Sequence, residues 1–104
     1  MTIDFDSLFK EMAEAARQAV KDDLPNFAGY AEQLLDNEKE SLKDLAKARL
    51  EGVIDEATLA AELAREKRVL EAELLTAQIM AKTSAQKAVN AALEVFYNSL
   101  RAAL

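Results

Sequence analysis

The most regular feature of the chain is the spacing of its apolar positions. Leu59, Leu63, Leu70, Leu74, Ala81, Ala85, Ala92, Phe96 and Ala103 are separated alternately by four and seven residues. That is an eleven-residue repeat of about 3.67 residues per turn, which predicts nearly straight or slightly right-handed helix packing rather than a heptad supercoil. The same spacing runs upstream through Phe5, Phe9, Ala16, Val20, Phe27, Ala31, Glu38, Leu42, Arg49 and Val53, where Glu38 and Arg49 are the two departures.

Punctuation divides this pattern into three helical segments, 4–24, 26–51 and 55–103. Asp4 is placed to accept from the free amides of a first turn, with Ile3 and Leu8 flanking it as a hydrophobic staple. Pro25 removes an amide and disfavours helical geometry at Leu24. Gly52 can turn left-handed without steric cost just past a helix end. Asp55 repeats the N-cap pattern, with Ile54 and Leu59 in the staple positions. Neither Gly nor Pro follows Asp55. The third helix should therefore reach about Ala103 and be roughly 70 Å long at 1.5 Å per residue.

The stripe keeps its phase across Pro25, which favours a kinked continuous helix there over a chain reversal. The expected fold is thus all-α: a long antiparallel helical hairpin, kinked at Pro25 and turning at Gly52. Such a hairpin pairs residue i with about 106 − i. Phe5 and Phe9 then lie beside Phe96, Tyr97 and Leu100, and Phe27 and Tyr30 beside Leu75, Ile79 and Met80. Glu38 falls opposite Lys67 and Arg68, where an ion pair would help fix register.

Composition supports the helical reading. Ala (21), Leu (15), Glu (12), Lys (8) and Arg (5) make up 61 of 104 residues, a bias typical of long helices and coiled coils. Two Gly and one Pro are too few for a sheet with its turns. Net charge is −6, distributed as −8 over residues 1–73 and +2 over 74–104. An acidic body repels phosphate backbones and anionic headgroups, so neither nucleic acid nor a membrane surface is an expected partner. The segment MTIDFDSLF lacks a basic n-region and a long apolar run. The stretch after Leu74 is interrupted by Gln78, Lys82, Gln86, Lys87 and Asn90, so no membrane span is expected and the cytoplasm is the expected location.

That last stretch nevertheless carries more apolar surface than one neighbour can cover. At 100° per residue its apolar positions span an arc of roughly 200°. One side is small (Ala77, Ala81, Ala85, Ala88, Ala92), and the other is bulky (Leu75, Ile79, Val89, Leu93, Phe96, Tyr97, Leu100, Leu104). An arc so wide needs at least two neighbours. A second copy of the chain would supply one and complete a bundle by two-fold symmetry. Folding segment 1–24 back at Pro25 is the intramolecular alternative.

Candidate chemistry is sparse. The chain has no His and no Cys, which removes the commonest general base, the commonest metal ligand and any thiol chemistry. Glu62, Glu66, Glu71 and Glu73 invite a metal reading. Helical-bundle metal sites, however, combine inward Glu with Glu-x-x-His, and these acids alternate with Arg65, Lys67 and Arg68 as on a solvated face. The run Asp36-Asn37-Glu38-Lys39-Glu40 lacks the Gly and terminal Glu of a calcium loop. Ser7, Ser41, Ser84 and Ser99 have no His to activate them. Lys39, Lys43, Lys47 and Arg49 are interleaved with Glu40 and Asp44, unlike a nucleic-acid patch. No catalytic site, metal or other cofactor is expected.

Over Leu45 to Leu70, about a quarter of the chain, the turn Gly52-Val53-Ile54-Asp55 leads into an acidic helix start. It resembles the small helical hairpins of the short C-terminal (SHOCT-like) type, with Asp55 where those have Thr. That resemblance implies a local hairpin and no chemistry. An acidic hairpin of this size is also similar to the small secreted WXG-type proteins, from which this chain departs in having no Trp.

The sequence therefore predicts a non-catalytic structural or adaptor protein that self-associates, as a dimer or higher oligomer. The expected interface is Leu75, Ile79, Val89, Leu93, Phe96, Tyr97, Leu100 and Leu104. The alternative is a binding module that offers the same face to another helical protein or an apolar ligand.

Overall fold

Two aspartates start helices where the sequence places them. The Ser7 amide donates to Asp4 Oδ1 at 3.2 Å, and the Thr58 amide donates to Asp55 Oδ1 at 2.8 Å. Each aspartate thereby satisfies one of the amides a first turn leaves free. These local bonds anchor a computed structural model that describes residues 3–22, 24, 27–76 and 81–104. Among those residues are four α-helices and no strand: α1 (Phe5–Val20), α2 (Ala28–Leu50), α3 (Glu56–Thr76) and α4 (Lys82–Ala103). Gly52 adopts φ 76° after α2. The Val53 amide donates to the Ala48 carbonyl at 2.9 Å and the Gly52 amide to that of Arg49 at 3.2 Å. This pair of bonds is the Schellman closure, which needs a left-handed residue at that point.

The chain reverses between α1 and α2. Lys39 reaches Asp6 at 3.3 Å and lies 5.8 Å from the centre of the Phe9 ring, while Lys43 lies 5.7 Å from that of Phe5. Later residues of α2 thus meet earlier residues of α1, and the two helices are antiparallel. The expected kinked continuous helix is corrected by this contact; Pro25 itself lies outside the described residues. At the next turn Arg49 and Glu56 pair at 3.3 Å, and α3 runs back along α2.

The expected 55–103 helix is also corrected. α3 ends at Thr76, and Ala81 is extended (φ −68°, ψ 157°) immediately before α4. The Tyr97 hydroxyl donates to Glu56, which brings the end of α4 against the start of α3. Directions therefore alternate along the chain, giving an up-down-up-down bundle. Its longest dimension is 38 Å, far short of a rod of roughly 70 Å. The radius of gyration is 13.3 Å, against about 13 Å for a compact chain of this length.

Both corrections have one geometric meaning. The structure is the expected hairpin folded in half, with its two rods interrupted at matching levels. α1 still packs against α4, and α2 still packs against α3. Helix directions place Phe5 and Phe9 at the same end as Phe96 and Tyr97, as the sequence pairing requires. Folding in half gives α4 its second neighbour without a second chain. The core runs through all four helices, and Met12, Phe27, Leu42, Leu59, Leu70, Leu74, Val89, Phe96 and Leu100 are among its fully buried side chains. No described helix is long and apolar enough to cross a membrane.

Candidate functional site

Two regions carry side chains that could act on another molecule: the apolar arc of α4 and a set of carboxyl groups between α2 and α3. The arc is closed. Val89, Phe96 and Leu100 are at most 1% exposed and Leu93 is 8% exposed, all within one chain. α1 makes the most extensive contact with α4, and α3 covers a further flank. The expectation that Val89, Leu93, Phe96 and Leu100 form an open interface is thus corrected: α1 keeps its place beside α4, and α3 takes the second flank.

Tyr97, from the same set, is half-buried. Its hydroxyl donates to Glu56, and the Arg101 guanidinium lies 5.8 Å from its ring centre. The bond to Glu56 raises the Tyr97 pKa and lowers that of Glu56, because it stabilises the phenol and the carboxylate together. Leu75 is 37% exposed and Leu104 58% exposed. Ile79, the remaining member, lies outside the described residues.

The α2–α3 seam holds what the sequence reading placed on an outer face. Glu66 is only 4% exposed. Its Oε2 has no hydrogen-bond partner among the described residues, and the same is true of Glu71 Oε1. Glu38, on α2, is close enough for its charge to act on Glu66. Burial first, then the charge and hydrogen bond of Glu38, push the Glu66 carboxyl from its ordinary 4.5 up to about 7; Arg65 opposes that rise. Glu73 is raised for the same reasons, with Asn37 acting in the opposite sense. Glu38 therefore meets carboxyl groups rather than Lys67 and Arg68. The register across the seam is close to the expected one, and the rotation of α3 selects Glu66 and Glu73 instead.

The sequence contained a signal for this. Glu66 follows Leu59 by seven residues and precedes Leu70 by four, and Glu73 follows Glu66 by seven. All four therefore lie along one side of a helix. A shallow recess beside Glu66 is lined by Ser41, Asp44, Leu45, Glu62 and Arg65, among others. Arg65 is held by Glu62 at 2.9 Å. A second recess, between α1 and α2, contains Asp6, Phe9, Glu32 and Lys39, whose opposite charges pair within it. Among the described residues no group of three or more acidic side chains is arranged to hold a metal ion.

No family model, no curated protein and no solved structure matches this chain.

Proposed function

We propose that the chain is a non-catalytic adaptor or structural protein that folds as a single bundle and contacts its partner through its outer surface. The observation that carries this reading is the cover of Val89, Leu93, Phe96 and Leu100 by helices of the same chain. A second copy is then not required to complete the core. The accessible surface of 6030 Å² agrees with that, since a compact monomer of this mass exposes about 5800 Å². The non-catalytic part rests on composition, a chain with neither His nor Cys.

Among the described residues, the large apolar side chains that stay exposed are Tyr30, Val53, Leu75 and Leu104. Helix directions put Tyr30 and Leu75 at one end of the bundle, and Val53 and Leu104 at the other. Contact with a sister chain or another protein would then be made at the ends rather than along α4. Light scattering combined with thermal unfolding tests this, over roughly a hundredfold range of protein concentration. A monomer whose Tm is independent of concentration is expected. A dimer whose Tm climbs with concentration would restore obligate assembly through α4.

A further inference from the structure

A buried carboxyl group lies beside the recess where α2 and α3 meet. Glu66 is almost wholly buried with one oxygen unpartnered, and the charge of Glu38 on α2 acts on it and on Glu73. An ionised Glu66 so placed loses water that nothing replaces, and the nearby charge of Glu38 adds to that cost. The neighbouring charges do not offset this. Arg65 points to Glu62, while Asp44 and Glu62, in the adjoining recess, add negative charge. On α4 the charged residues Lys82, Lys87, Glu94 and Arg101 are all exposed. The α2–α3 contact is also the least extensive between neighbouring helices.

We propose that Glu66 is a proton-held latch between α2 and α3, closed while the buried carboxyl keeps its proton and loosened once it is ionised. Ionisation brings in water, which the seam admits only as the helices part. The direction follows from the two states. The unfolded Glu66 ionises near its ordinary 4.5, whereas the folded one keeps its proton to about 7. Its stabilising contribution is therefore complete below 4.5 and is lost as pH rises to about 7. No His or Cys titrates in that interval. The capping groups Asp4 and Asp55 act in the opposite sense and below it, since their amide bonds hold both under 3.8.

The test uses the whole chain. Carboxyl-carbon NMR should show Glu66 titrating well above its neighbours on the surface. Urea unfolding of the wild type should show the folding equilibrium constant falling roughly a hundredfold between about pH 4.5 and about pH 8. Glu66→Gln should flatten that dependence and be the more stable protein at the alkaline end. Amide exchange, corrected for intrinsic rates, should quicken in α2 and α3 above about pH 7 but not in α1 or α4. A Glu66 midpoint near 4.5, or a Glu66→Gln profile identical to the wild type, overturns the proposal. Should Glu66→Gln fail to fold, the wild-type NMR titration decides alone.

Discussion

Where α1 meets α4 the buried side chains are alanines and large apolar groups; where α2 meets α3 carboxyl groups share the seam. Ala13 and Ala16 in α1, and Ala85, Ala88 and Ala92 in α4, are all buried beside Met12, Phe96 and Leu100. Small residues let helix backbones approach closely, so dispersion and burial act together over the most extensive contact in the bundle. On α2 and α3, Leu42, Leu59 and Leu70 are buried, and Glu66 is buried with them. The first pair is built for stability. The second is built with charges whose burial is unfavourable unless they are protonated, and local opening is expected to begin there.

That contrast can be broken by substitution. Phe96→Ala in the dry pair should cost about 3–5 kcal/mol in urea unfolding, whereas Tyr30→Ala on the surface should change stability by less than about 0.5 kcal/mol. Comparable losses at the two positions would mean that α4 does not carry the core. Enlarging a small residue sharpens the contrast. Ala88→Leu should destabilise by about 1–3 kcal/mol through overpacking. Ala48→Leu, beside the recess of the other pair, should be absorbed with a much smaller fall in Tm. Equal falls would show that both seams are equally tight. The mildest substitution addresses the interruption before α4. Ala81 is an exposed N-cap residue with no side-chain acceptor, so Ala81→Asp should stabilise by about 1 kcal/mol, read as a raised Tm. In an unbroken helix the same change would lower Tm, because Asp is a poor residue in a helix interior.

Local features were legible in the sequence because they are set by residues within one turn of each other. Asp4 and Asp55 cap helices through amides three residues on, and α2 is closed by the Gly52 amide on the carbonyl three residues back and the Val53 amide on the carbonyl five residues back. The interruption near Ala81 was not legible. The segment from Asp55 onward contains no Gly, no Pro and no capping residue at the break. There packing prevails over helix continuity, as it does whenever most of a helix's stability comes from the face it buries. Pro25 gave a signal consistent with either a kink or a reversal, and the preserved phase of the stripe did not separate them. Folding a hairpin in half keeps the same pairs in contact. The burial of Glu66 was legible in part, from its spacing to Leu59 and Leu70, but its surrounding charges concealed it.

The amino-acid pattern alone settled that this protein is helical, where two of its helices begin, how α2 ends, and that Leu59, Leu70, Ala92 and Phe96 belong inside. It did not settle what covers them. Burial of apolar surface is non-directional, so a stripe reports that a face must leave water without naming the face that will meet it. A second chain and a folded-back segment satisfy the same stripe. The tethered segment is already present at high effective concentration, while a second copy must give up translational and rotational freedom to associate. In the folded protein α4 lies against both α1 and α3 of its own chain, and α3 against α2 and α4.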